Sequence, residues 1–186
     1  MEFTLYYRGP LKANRGAKEK HKLRQRFHSQ LKELWNQKPL LAFQERLLDQ
    51  TIKDQSINVI KKIGRFQFAP LIAEKVSLVA ELDISLLRPE PPGSIVTQSG
   101  DIDNRLKTLL DALKVPSSPG SLPSNAKPSK DENPFFCLLE DDSLITKISV
   151  TTDRLLEPGI NPSEAIIQVH VTTKHIEVYS GTIGLG

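Results

Sequence analysis

Residues 76–87 read VSLVAELDISLL, and this stretch decides the fold class. Val76, Leu78, Ala80, Leu82, Ile84 and Leu86 recur at every second position, the period of a strand with one buried face. Glu81 and Asp83 fall on the opposite face. A second alternating run, with Ile167, Val169 and Val171 on one side, predicts a last strand over 165–173. Phe3, Leu5 and Tyr7 predict a first strand, closed by Gly9-Pro10. A further strand is expected over 144–152, with Leu144, Ile148 and Val150 facing inward.

Helical spacing lies between these strands. Leu23, Phe27, Leu31, Leu34 and Trp35 form one apolar stripe and predict a helix over 18–36, with basic residues on the rest of its surface and Pro39 beyond its end. Residues 40–65 read as more helix, with Leu47, Leu48, Ile52, Ile57, Ile60 and Ile63 available for burial. Residues 88–93, with three prolines, read as a loop. Leu106, Leu109, Leu110 and Leu113 predict a helix over 104–114. Residues 116–134 are rich in Pro and Ser and read as a flexible surface insertion. Strands and helices do not alternate strictly. An α+β fold of two layers, with a mixed or mostly antiparallel sheet packed by helices, therefore fits better than a doubly wound one. The 186 residues suffice for a single domain over 1–186.

The composition, 38% hydrophobic and 25% charged, is that of a globular chain. No apolar run approaches the roughly 20 residues that span a bilayer. The opening MEFTLYYRG lacks the pattern of a secretory signal, so a soluble cytoplasmic protein is expected. Cys137 is the sole cysteine, which excludes an internal disulfide and Cys-based zinc sites. It lies in an apolar run and reads as packing. His21, His28, His170 and His175 show no ligand spacing and read as ordinary polar residues. The net charge is only +3, yet residues 8–32 carry nine basic side chains against Glu19 alone. Such a local excess attracts a polyanion.

The densest polar cluster is in residues 100–116, GDIDNRLKTLLDALKVP. Asn104, Lys107 and Asp111 share one helix face, opposite the leucines. Asp103 is expected at or just before the first turn, where it can accept from free backbone N–H groups, and Asp101 in extended chain before it. A cap, a dipole-stabilising carboxylate and a Lys107–Asp111 pair would each be ordinary. The same residues could be half of a metal site. Asp141 and Asp142 lie about 30 residues further on, before a predicted strand. Carboxylates brought together raise each other's pKa, and a hard divalent cation removes that cost.

D101-I-D103-N104-R-L-K107-T-L-L-D111-A112-L113 followed by D141-D142 resembles the signature of the RusA-like Holliday junction resolvases, D-x-D-N-x-x-K-x-x-x-D-A-L and then D-D. The resemblance covers residues 70–155 and, more loosely, the N-terminal strand, basic loop and helix. It implies the RusA-like fold and a homodimeric, Mg²⁺-dependent endonuclease of bacterial or phage type acting on branched DNA, with Mn²⁺ as a substitute metal. Asp101, Asp103 and Asp142 would hold the metal, and Lys107 would be the catalytic lysine. Asn104, Asp111 and Asp141 would support them. The products would be a 5′-phosphate and a 3′-hydroxyl. Arg8, Lys12, Arg15, Lys18 and Lys22 are the expected DNA-backbone contacts. Family members often carry arginines just before the first Asp, whereas this chain has Thr97-Gln98-Ser99-Gly100, and its helix-to-DD connection is long. Rival readings are a nuclease for forks, flaps or RNA, and a non-catalytic nucleic-acid-binding module. A metal-dependent nucleotide or sugar transferase is disfavoured by the absence of a Gly-rich phosphate loop and of a βαβ series.

Overall fold

The computed structural model describes residues 1–11, 16–49, 57–90 and 102–176. Lys12, Arg15 and Asp101 lie outside the described residues, as do Pro91, Pro92 and Gly93 of the proline loop. Within the described residues the chain is α+β, with three helices and two mixed sheets. The first sheet joins β1 (Glu2–Pro10), β7 (Glu164–His175), β4 (Leu78–Arg88) and β6 (Ile145–Arg154) in that order. β7 is antiparallel to both β1 and β4, while β4 and β6 are parallel. The alternation in β4 and β7 sets the register. Leu82 stands opposite Val171 and Ile84 opposite Val169, and all four are buried. β6 lies at the sheet's edge, and Ile148, expected inside, is 42% exposed there.

The second sheet, β2 (Lys61–Ile63), β3 (Phe66–Ile72) and β5 (Phe135–Leu139), corrects the expectation of helix over 40–65. The described helix there is one short segment, α2 (Gln44–Leu48), after a 3₁₀ turn at Leu40–Ala42. Ile57, Ile60 and Ile63 recur at threes and imitate a helix. Gly64 instead reverses the chain with φ +58, a conformation side chains with a Cβ rarely adopt, and Ile63 pairs with Phe66 across the turn. β3 and β5 run parallel and are buried almost throughout, so their sequences are continuous apolar runs without a period.

α1 (Ala17–Trp35) packs on β5 and on α3 (Ile102–Leu113). Leu23, Phe27, Leu31 and Trp35 are buried as expected, but so are His21, Arg24 and His28. Trp35 meets Phe136 at 5.6 Å between ring centroids. Residues 116–134 run mostly over the surface and are anchored at a few buried points. Leu122 joins Val115, Phe66, Phe68, Phe135 and Cys137 in a second core cluster. Ser129 and Glu132 form a capping box around a 3₁₀ turn, and Gln25 on α1 donates to Glu132 Oε1 at 2.7 Å. No helix of the described residues is long and apolar enough to cross a membrane.

His28 ties this segment to the core. Its Nδ1 accepts from the Phe136 N–H at 2.9 Å, which requires a neutral ring, and Nε2 then donates to the Asp131 carbonyl at 3.1 Å. Burial outweighs the nearby Asp131 and Glu132 and pushes His28 below the ordinary histidine range; burial and then Arg24 do the same to His21. In the unfolded chain both rings take up protons as pH falls through about 6.5, whereas the native rings resist. The unfolded state then binds more protons, so stability declines as pH falls below that value. The urea midpoint is expected to drop between pH 7.5 and pH 5.5, and a midpoint that stays level over that interval would contradict the neutral-ring assignment.

Candidate active site

Two backbone links bring the two halves of the motif together. The Val115 N–H donates to the Leu139 carbonyl at 2.9 Å, and Lys114 bridges to Leu139. The end of α3 is thereby fixed beside the end of β5, and residues 140–142 follow directly. Asp141 caps the 3₁₀ turn Asp142–Leu144, accepting from the Ser143 N–H at 3.0 Å. That hydrogen bond holds its carboxyl below the usual range. Lys114 Nζ lies 2.9 Å from Asp142 Oδ1 and 3.8 Å from Asp141 Oδ2.

α1 supports the other side. Lys20 Nζ donates to Asp111 Oδ2 at 2.6 Å. Arg24 donates Nη2 to the Asp111 carbonyl at 2.6 Å and Nε to the Lys114 carbonyl at 3.3 Å, satisfying acceptors that the end of α3 leaves open. Arg24 was expected on a solvated face. Its signal in the sequence is its position beside Leu23 and three residues before Phe27, at the border of the apolar stripe.

Asp103, Asp111 and Asp142, with Lys107 and Lys114, line one cleft of about 400 Å³. Leu106 and Leu110 form its apolar wall. Both are only partly buried, because α3 is rotated from the expected facing. Its buried stripe is Arg105, Thr108, Leu109, Ala112 and Leu113. α3 begins earlier than expected, at Ile102, and Asp103 sits in its first turn. There the positive end of the helix dipole favours a carboxylate.

Four of the expected residues thus meet: Asp103, Lys107, Asp111 and Asp142. Asp141 adjoins them through Lys114. Asn104 is half-buried on α3, with its carbonyl accepting from the Thr108 hydroxyl at 2.9 Å. Asp101 is outside the described residues. Lys114 and Lys20 are additions to the expected set. Lys114 follows Lys107 and Asp111 at helical spacing, so its place was readable, whereas Lys20 arrives through tertiary packing alone.

Carboxylate oxygens are the donors a Mg²⁺ ion takes, commonly a few of them with water and phosphate oxygens completing the shell. Asp103 and Asp142 fit that role in kind, since both line the cleft and Asp142 is solvent-accessible. Among the described residues no three His, Cys, Asp or Glu side chains form a ready-made metal cage. Lys114 holds Asp142 as a counter-charge. Cys137 is no competitor, because burial pushes its thiol up to about 12.

Of the expected DNA contacts, Lys18 and Lys22 are exposed on α1. Lys22 and Arg26 line a groove between β1 and α1. Arg8 is held by two carboxylates, Nη2 to Glu157 and Nε to Glu164, each at 2.6 Å, so binding a phosphate there requires exchange of those partners. Compared with known proteins, the chain matches no family model, no curated protein and no solved structure.

Proposed function

We propose that this chain is a Mg²⁺-dependent endonuclease that cuts branched DNA, with the four-way junction as its substrate and a homodimer as its working form. The observation that carries the reading is the convergence of Asp103 and Lys107 on α3 with Asp142 after β5 in one cleft. Nothing in the leucine pattern of α3 requires a second carboxylate pair to be fixed there.

In this reading Asp103 and Asp142, with Asp101, would hold the metal, which supplies Lewis-acid polarisation of a phosphoryl oxygen and a more acidic water. The chain's own groups do the rest. Lys107 stabilises charge gathering on the phosphoryl oxygens, an electrostatic role that needs a fixed ammonium in a partly enclosed site. Lys114 keeps Asp142 oriented towards the cleft. Lys20 and Arg24 fix the last turn of α3, so that Lys107 and Asp111 keep their positions. Lys18 and Lys22 attract the DNA backbone, and two subunits would make paired nicks.

A panel of substrates tests the reading. Four-way junction, fork, flap, linear duplex and RNA duplex are incubated at equal concentration with Mg²⁺. The junction is expected to be cut fastest and the linear duplex slowest. Equal cleavage of linear duplex and junction would overturn the junction assignment.

A further inference from the structure

Beside the acidic cleft lies a second one of about 390 Å³, and Asp111 and Lys114 belong to both. Its walls are the start of α1, the end of α3 and the first part of the 116–134 segment. Three cations, Lys20, Arg24 and Lys114, face a single carboxylate, Asp111. Lys20 already neutralises that carboxylate at 2.6 Å. Ser117 and Ser121 add hydroxyls, whose oxygens lie 3.2 Å apart.

A further observation points to an anion. The 19-residue α1 starts at this cleft, with Gly16 as an N-cap that makes no side-chain hydrogen bond. Its first N–H groups and the positive end of its dipole are thus presented without a capping side chain among the described residues. Arg24 is only 3% exposed and lines the cleft; its Nε and Nη2 are hydrogen-bonded to the Lys114 and Asp111 carbonyls, so it adds positive charge to the wall rather than a free donor.

We propose that this second cleft is a phosphate subsite, which holds a phosphodiester of the nucleic acid adjacent to the one at Lys107. The nucleic-acid source of that phosphate rests on the function proposed above, but the anion chemistry of the cleft does not. The start of α1, Lys20, Lys114, Ser117 and Ser121 together offer backbone N–H, ammonium and hydroxyl donors, the set a tetrahedral oxyanion uses. Lys114 is shared, since it also holds Asp142 at 2.9 Å, so occupancy of the subsite bears on the acidic cleft through one side chain.

The test is a titration of the ¹⁵N-labelled full chain in EDTA with two probes, inorganic phosphate and a thymidine dinucleotide joined by one phosphodiester. The dinucleotide is expected to shift the amides of Ala17, Lys20, Ser117 and Ser121. Saturation should need about tenfold more of it in Lys20→Gln and in a Ser117→Ala/Ser121→Ala protein. The serine variant leaves the Lys20–Asp111 pair intact, so its result does not depend on that pair. Shifts with inorganic phosphate alone would mark a free-phosphate site and overturn the phosphodiester assignment. No shift at these amides with either probe would overturn the subsite outright, even if the chain cuts junctions at full rate. Dinucleotide shifts in a chain that cuts nothing would uphold the subsite and remove the nuclease reading.

Discussion

Asp142→Asn protein is expected to fold like the unsubstituted chain and to cut a four-way junction about a hundredfold more slowly or worse. A hundredfold corresponds to about 2.7 kcal/mol of lost transition-state stabilisation. The side chain stands at the cleft surface after β5, where its described partner is Lys114 at 2.9 Å, so little packing is at stake. An amide keeps the shape and loses the charge that a divalent cation needs. The Mg²⁺ concentration for half-maximal cleavage should therefore rise together with the loss of rate. Asp103→Asn should behave alike, because Asp103 lines the same cleft from the first turn of α3. Single-turnover cleavage over a Mg²⁺ series, with a urea melt of each protein, separates lost chemistry from lost folding. Wild-type rates in both variants would remove these carboxylates from the metal site.

Phe135→Ala should cost about 3–5 kcal/mol of stability, the range for emptying a fully buried aromatic position. Phe135 is 0% exposed. Its ring lies 4.5 Å from that of His28, 5.3 Å from Phe68 and 6.0 Å from Phe66, centroid to centroid. It therefore joins α1, β3 and the 116–134 segment in one cluster. A domain of this size holds about 5–15 kcal/mol in total, so the loss is a large share of it. Urea denaturation measures it. Because Leu122 packs in the same cluster, the variant should also become open to protease within residues 116–134. A cost below about 1 kcal/mol would mean that the segment is not held by this core.

The parts of the fold legible in the sequence are those with one buried face. β4 and β7 alternate over their length because β7 and β4 are the inner strands of a sheet covered on one side, and α1 shows its stripe because it lies on a sheet. The second sheet was not legible. FQFAPLI and FFCLL carry no alternation, since both faces of β3 and β5 are covered. The anchoring of the 116–134 segment was not legible from composition. Its proline and serine content suggested flexibility, while the capping pair Ser129 and Glu132 and the single anchor Leu122 were the local signs of order.

The site shows the same division. Asp103, Lys107 and Asp111 were legible as one helix face, and Asp142 as the second half of a motif. Their meeting depends on the Val115-to-Leu139 hydrogen bond, which joins elements with no sequence relation. Lys20 and Arg24 reach the site from a helix 80 residues and more away in the chain, as the 91-residue separation of the Lys20–Asp111 pair shows. No periodicity within α1 encodes a partner in α3.

The most direct measurement is cleavage of a synthetic four-way junction by the purified chain, with Mg²⁺ in one series and EDTA in the other. Paired, symmetric nicks are expected with Mg²⁺ and an intact junction in EDTA. An intact junction in both series, at protein concentrations that bind it fully, would rule out the proposed nuclease activity.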